Sequence, residues 1–278
     1  EIRLSLVGSE MCIRDSSKPG PVAKLLPSAH AIEREFRVMK GLAGTDVPVP
    51  HMYALCEDES IIGRAFYIME CMEGRVLWDQ SLPGMEPAQR AAIYDEMNRV
   101  ISALHTVDFA AQGLADYGKS GNYFERQIGR WSKQYVASVT QPIPEMDQLM
   151  QWLPAHMPAS ALDASRVSIV HGDFRLDNLM FHPTEPRVIA VLDWELSTLG
   201  HPLADFSYHC MSWHIPATLG RGIAGKDLAA LGIPGEEEYI RRYCERTGLK
   251  DVDTLRADWN FYTVSYTHLR AHETKANL

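Results

Sequence analysis

The alternation of apolar and polar positions is most informative between residues 167 and 195. Two β-branched apolar runs, 167–170 and 188–192, predict short buried strands. A third apolar run covers 179–181, and a proline-rich turn separates it from the second strand. The first strand therefore leads into a polar loop at 171–178, and the second strand ends at Asp193.

Helical periodicity dominates most of the remaining chain. Apolar residues recur at spacings of three and four in five segments, which we predict to be helices: 28–42, 86–105, 123–139, 146–153 and 236–248. Leu203 opens a shorter helix, and another begins at 251. Two antiparallel strands, 52–55 and 65–70, are joined by a polar turn. A small sheet with one helix thus precedes a mainly helical part.

The polar loops carry the chemistry. Asp173 and Asn178 share one short loop, and we expect the strands to bring Asp193 to the same edge. Asp and Asn oxygens are hard ligands suited to Mg²⁺, which also binds substrate phosphates. A carboxylate that holds no metal can accept the proton of an attacking hydroxyl. One base and two metal ligands are what phosphoryl transfer needs, although Asp and Asn in loops are more often plain turn formers.

The spacing of these residues resembles that of a known family. His171-x-Asp173-x-x-x-x-Asn178, followed by Asp193, is similar to the catalytic and metal loops of protein kinases. Gly172, and Asp-Trp-Glu at 193–195 where protein kinases have Asp-Phe-Gly, resemble the aminoglycoside phosphotransferase family. The resemblance implies an α+β, protein-kinase-like, two-lobed fold with a truncated N-terminal β lobe and a mainly helical C-terminal lobe. It also implies ATP as the phosphoryl donor and Mg²⁺ as its metal.

The resemblance assigns roles to five residues. Asp173 corresponds to the catalytic base, and Asn178 and Asp193 correspond to the Mg²⁺ ligands. His171 corresponds to a histidine that braces the loop, and Asp205 to a buried structural aspartate. A buried carboxylate needs hydrogen-bond partners, so we expect Asp205 to hold the catalytic loop.

The nucleotide-binding residues are less specific. By resemblance, Glu35 pairs with a basic residue that contacts the nucleotide, although a glutamate on an exposed helix face is usually solvated. The backbone of Glu70, Cys71 and Met72 corresponds to the hinge that faces adenine, and the alternative is a plain strand exit. No glycine-rich phosphate loop occurs before position 20, and the basic residue has only weak counterparts, which are Arg14, Lys18 and Lys24.

Both ends of the chain differ from the rest. Residues 1–16 and 264–278 resemble translated sequencing-adapter sequence, and the alternative is that they are genuine, unusual ends. On the adapter interpretation, 17–73 is the remnant of an N-terminal lobe and 74–263 is the C-terminal lobe with the catalytic and metal loops.

Composition narrows the class of protein. The 278 residues carry a net charge of −9 without a Lys/Arg cluster, which argues against a nucleic-acid partner. The five cysteines are scattered and show no CxxC spacing, as is typical of reduced thiols in a cytoplasmic protein. No apolar run is long enough to span a bilayer.

Three functions fit the sequence to different degrees. The first is a small-molecule kinase that phosphorylates a hydroxyl. Residues 25–31 and 33–35 resemble the branch of the family found fused to, or beside, acyl-CoA dehydrogenases, which implies a hydroxyacyl-CoA acceptor and a dehydrogenase domain or neighbour as partner. The second is a catalytically impaired nucleotide-binding or scaffold module. A metal-dependent hydrolase that uses His171, Asp173 and His182 fits less well, because no HxH or HExxH spacing occurs.

Overall fold

The first of two lobes contains a three-stranded antiparallel sheet. A computed structural model describes residues 4–8, 32–119, 121–139, 141, 143–219, 221–250 and 252–276. The strands β1 (Leu4–Gly8), β2 (Met52–Cys56) and β3 (Phe66–Glu70) pair in the order β1-β3-β2. Helix α1 (Ile32–Leu42) contacts β2 and β3 and buries Val38, Met39 and Leu42. The described residues thus form a small lobe of one helix on one sheet.

The second lobe is mainly helical, with short strands near the first lobe. Strands β4 (Arg75–Val76), β6 (Leu179–Phe181) and β7 (Val188–Val191) form one sheet, and β5 (Ser168–Val170) pairs with β8 (Thr198–Gly200) in another. The helices that follow α1 are α2 (Pro87–Thr106), α3 (Tyr123–Ser138), α4 (Pro144–Ala155), α5 (Ala159–Leu162), α6 (Pro202–His209), α7 (Leu228–Leu231), α8 (Glu236–Thr247) and α9 (Val252–Ala276).

Helix α2 is the centre of the larger lobe. Its N-terminus has a capping box, in which Glu86 and Gln89 each bond the other's backbone N–H, and Pro87 fills the first turn. Its predicted apolar stripe is buried and faces α8 and β5: Ile93, Met97, Val100, Ile101 and Leu104. Each such side chain contributes about 1.5–3 kcal/mol by leaving water, so α2 fixes the surface on which the functional loops rest.

The two strands that precede the functional loops do not pair with each other. The strands at 168–170 and 188–191 lie in separate sheets, because β5 pairs with β8. The sequence showed only a turn near Gly200, since a three-residue strand leaves no periodic pattern. The loops that follow β5 and β7 are therefore joined by contacts other than strand pairing.

The two ends of the chain take part in regular elements. Strand β1 lies within the segment compared above with adapter sequence and pairs with β3, and α9 continues past 264 to Ala276. The adapter interpretation stays a prediction. None of the helices in the described residues is long and apolar enough to cross a membrane.

Candidate active site

Helix α6 holds the loop that follows β5. The carboxylate of Asp205 accepts the backbone N–H of His171 at 2.7 Å and that of Gly172 at 2.9 Å. It also accepts from Nε2 of His105 at 3.2 Å. Burial by itself raises the pKa of Asp205, but the hydrogen bond from His105, the two nearby imidazoles and the backbone N–H outweigh it, so the pKa lies below its usual value. The carboxylate of Asp205 thus holds the backbone N–H groups at the start of the loop.

Two further residues of α6 reach the next positions of the same loop. Tyr208 donates its phenol O–H to Oδ1 of Asp173 at 2.5 Å. His209 forms a hydrogen bond with the backbone of Phe174, and burial lowers the pKa of its imidazole to about 4, so the ring is neutral at physiological pH. Positions 205, 208 and 209 are three and four residues apart and share one face of the helix. That face therefore contacts four consecutive loop residues, 171–174.

His171 joins the two functional loops. Its Nδ1 accepts the backbone N–H of Asp173 at 3.2 Å, so its proton lies on Nε2, which donates to the carbonyl of Leu192 at 2.8 Å. The N–H of Leu192 donates to the carbonyl of Asn178 at 2.9 Å. Leu192 is thus tied to both ends of the 171–178 loop, and Asp193 is the next residue. The structure brings the loops of Asp173, Asn178 and Asp193 together through these bonds.

The carboxylate of Asp173 is surrounded by donors. Nδ2 of Asn178 lies 2.8 Å from the carbonyl of Asp173 and 3.1 Å from its Oδ2. Nη2 of Arg175 lies 3.2 Å from the same Oδ2 and 3.2 Å from Oδ2 of Asp177. Tyr208 contacts the other oxygen. Both oxygens of the predicted base are thus held, and they are only partly exposed.

The residues at the predicted metal position fit Mg²⁺ in their chemistry. The amide nitrogen of Asn178 is used in the bonds to Asp173, and its oxygen accepts no hydrogen bond from another described residue. Asp193 is exposed and has a left-handed backbone with φ of 65°. No group of three or more His, Cys, Asp or Glu suited to a metal occurs in the described ranges. Two protein oxygens are enough for an ion that keeps waters and binds phosphates.

Three residues that contact Asp173 or Asp205 were missed by the sequence analysis. Arg175 and Tyr208 contact Asp173, and His105 contacts Asp205 from α2. Arg175 was visible in principle, because it is a cation two positions after the base. Tyr208 could have been found from its spacing of three residues after Asp205 on a predicted helix. His105 lies 100 residues from its partner, and no local pattern marks it.

Glu35 faces the Asp193 loop from the smaller lobe. Its carboxylate accepts the phenol O–H of Tyr67 at 3.1 Å. Burial raises the pKa of Glu35 to about 7; the bond from Tyr67 opposes the rise, and the nearby charges of Asp193 and Glu195 add to it. Among the described residues, Glu35 forms no ion pair. The basic residues considered as its partner, 14, 18 and 24, lie outside the described residues.

Helix α1 is attached to the chain beyond Asp193. Nη2 of Arg34 donates to the carbonyl of Tyr117 at 2.9 Å and to that of Ser197 at 3.3 Å. Its guanidinium lies 4.5 Å from the ring centroid of Tyr117, whose hydroxyl lies 2.5 Å from Oγ of Ser197. The helix that carries Glu35 is therefore tied to a segment four residues after Asp193.

The predicted hinge begins at the last residue of β3. The N–H of Glu70 donates to the carbonyl of His51 at 2.8 Å, so this donor is already used. Cys71 and Met72 are half-buried, and their backbone groups form no hydrogen bond with other described residues. The role of 71 and 72 in holding adenine stays a prediction.

Comparison with known proteins identifies the family. The model of the family described as "Phosphotransferase enzyme family" matches residues 20–249. The chain belongs to this family. A crystal structure from Ralstonia eutropha JMP134, described as a candidate aminoglycoside phosphotransferase, is 69% identical with a TM-score of 0.79, and the match covers 84% of this chain and 70% of that one.

More distant members of the phosphotransferase family share the fold. Aminoglycoside phosphotransferase APH(3'')-Id from Streptomyces rimosus, in complex with ADP and streptomycin, is 16% identical with a TM-score of 0.56 over 84% of this chain and 80% of that one. The predicted α+β, kinase-like, two-lobed fold is confirmed by these likenesses.

One relative is a much longer protein. Acyl-CoA dehydrogenase family member 10 of Mus musculus is 52% identical over 244 residues, which are 87% of this chain. The chain spans only 22% of the length of that relative. The predicted likeness to the branch associated with acyl-CoA dehydrogenases is thus confirmed at the level of sequence.

Proposed function

We propose that this phosphotransferase moves the γ-phosphoryl group of ATP to the hydroxyl of a small molecule. The observation that carries the proposal is the tie from His171 through Leu192, which sets the loop of Asp173 beside that of Asp193. Phosphoryl transfer depends mostly on positioning and on charge neutralisation, and such a tie supplies positioning.

The residues of the chain would act as follows. Asp173 orients the acceptor hydroxyl and accepts its proton at a carboxylate oxygen. Asn178 and Asp193 would hold Mg²⁺, which supplies neutralisation of charge on the phosphates when it is bound. The backbone of Cys71 and Met72 would receive the adenine. A fold neighbour solved with ADP supports nucleotide use.

The acceptor we propose is a hydroxyacyl-CoA. Support comes from the 52% identity to a protein named as an acyl-CoA dehydrogenase family member, and from the small part of that protein which the chain spans. A kinase joined to a dehydrogenase would share its class of substrate, an acyl thioester. An acyl-CoA dehydrogenase domain or neighbour is therefore the partner we propose.

The test is ATP consumption by the purified chain with a panel of hydroxyacyl-CoA thioesters, with streptomycin and kanamycin as competing acceptors. Asp173→Asn keeps the shape of the base and removes its charge, and we expect at least a roughly hundredfold loss of kcat. Asp58→Asn, in the exposed β2–β3 turn, is the matched control and is expected to keep wild-type activity. Unchanged kcat in Asp173→Asn would contradict the proposed base, and turnover of aminoglycosides alone would contradict the proposed acceptor.

The alternative to this kinase is a nucleotide-binding module without turnover. This function predicts Mg²⁺-dependent binding of ATP by calorimetry together with no phosphoryl transfer to any acceptor, water included. Measurable transfer that Asp173→Asn abolishes would exclude it.

A further inference from the structure

The carboxylate of Asp173 needs more than a fixed backbone to act on a hydroxyl. Asp205 fixes the N–H groups of His171 and Gly172, but the side chain of Asp173 could still rotate about its own bonds. A displacement of about 1 Å in a catalytic group can cost roughly a hundredfold in rate. The group that sets the plane of this carboxylate therefore matters to the reaction.

Tyr208, which lies on α6 outside the loop, contacts this carboxylate. It lies one helical turn after Asp205, on the same face of α6, and is buried with 9% of its surface exposed. Its hydroxyl lies 2.5 Å from Oδ1, whereas Asn178 and Arg175 contact Oδ2. Contacts on both oxygens define the plane of the carboxylate.

We propose that Tyr208 is a positioning residue that fixes the carboxylate of Asp173 for the acceptor hydroxyl. This inference rests on the proposed function. One face of α6 then has two roles. Asp205 fixes the backbone of the loop, and Tyr208 fixes the orientation of the Asp173 side chain. Because the phenol acts through Asp173, it affects the chemical step and leaves nucleotide binding unchanged.

Tyr208→Phe tests the proposal, because it removes only the hydroxyl from a buried ring. Hydrogen bonds to charged groups are strong enough that we expect kcat for ATP turnover to fall roughly tenfold to a hundredfold. The KM for ATP should stay unchanged. In the Asp173→Asn background, Tyr208→Phe should add little further loss, since the two residues act as one unit.

The matched control is Tyr262→Phe. It removes another buried phenol hydroxyl, which lies 2.7 Å from Oγ of Ser160 in α5. We expect this variant to keep wild-type kcat. An equal loss of kcat in both variants would overturn the proposal, because it would mean that any buried hydroxyl is needed for the fold.

A readout without turnover separates this inference from the proposed function. The equilibrium constant of unfolding in urea is measured for wild type, Tyr208→Phe, Asp173→Asn and the double variant. We expect the two single effects to fail to add, with a coupling of roughly tenfold in that constant. If the two substitutions are coupled but the wild-type protein transfers no phosphoryl group, the proposed function is contradicted and the contact between Tyr208 and Asp173 is supported. Additive effects, or coupling with wild-type kcat in Tyr208→Phe, would overturn the role of Tyr208.

Discussion

Nε2 of His171 donates to the backbone carbonyl of Leu192 at 2.8 Å, and this bond joins the two loops of the site. The imidazole is fully buried and packs against Trp194, with 4.8 Å between ring centroids. Its other nitrogen accepts from the backbone of Asp173. One side chain therefore spans from the loop of the predicted base to the residue that precedes Asp193.

Removal of this imidazole should loosen both loops. We expect His171→Ala to lower the free energy of unfolding by about 2–4 kcal/mol, because a buried carbonyl and a buried N–H lose their partner. Affinity for Mg²⁺-ATP should also fall, since Leu192 loses one of its two bonds to the 171–178 loop and holds Asp193 less firmly. Urea titration and calorimetry measure the two effects. His51→Ala, on an exposed side chain, is the control, and equal stability of both variants would contradict the bracing role.

Asp205 gives a prediction that depends on pH. Asp205→Asn turns one acceptor into a donor that faces the N–H groups of 171 and 172, and we expect a loss of about 3 kcal/mol at pH 7. The folded pKa of Asp205 lies below its unfolded value, so the unfolded state binds its proton first as pH falls. The stability contributed by the carboxylate is therefore present above about pH 4 and is lost at lower pH.

Urea unfolding of wild type and Asp205→Asn at pH 7, 5 and 3 checks this expectation. The difference between the two proteins should be constant from pH 7 to 5 and smaller at pH 3. A difference that stays the same down to pH 3 would show that the charge of Asp205 does not contribute.

The parts of the site that follow buried strands could be predicted from the sequence. Asp173, Asn178 and Asp193 stand directly after or between short apolar runs, and such runs mark strand ends without knowledge of the fold. The long amphipathic helices were equally visible, because burial of one face imposes a spacing of three and four residues.

The contacts that align these residues could not be predicted in the same way. Asp205 meets His171 across 34 positions of the chain, and only the family resemblance indicated this contact; His105 meets Asp205 across 100 positions, and nothing indicated it. Neither pair leaves a local pattern, because tertiary packing alone brings them together. Strand β8 was missed for a related reason: three residues are too few for a period of two to be recognised.

The raised pKa of Glu35 predicts that stability depends on pH with the sign opposite to that for Asp205. Its folded pKa of about 7 lies above the ordinary glutamate value of 4.5, so the folded state binds the proton more tightly, and stability falls as pH rises from about 4.5 to about 7. Glu35→Gln cannot ionise and should escape this loss, gaining about 2 kcal/mol over wild type at pH 8 and little at pH 4.

Urea unfolding across this pH range measures the effect. Glu33→Gln, on an exposed position of the same helix, is the control and should follow the wild-type pH dependence. Parallel curves for wild type and Glu35→Gln would mean that a cation stabilises the carboxylate of Glu35 in the folded protein.

Gly172 makes the sharpest steric prediction, because two features exclude a side chain there. Its φ is +82°, and a Cβ would lie 2.9 Å from the carbonyl oxygen of Leu196, which is backbone and cannot swing away. The left-handed conformation alone costs a non-glycine residue about 1–2 kcal/mol, so we expect Gly172→Ala to lose at least about 2 kcal/mol of unfolding free energy. Because Asp173 follows directly, kcat should fall as well.

Gly129→Ala is the matched control. Gly129 lies on an exposed face of α3 with nothing near the position of an added Cβ, so alanine should stabilise the protein by up to about 1 kcal/mol. Thermal unfolding of both variants measures these opposite signs, and a Gly172→Ala protein as stable and active as wild type would show that the loop can shift away from Leu196 without disturbing Asp173.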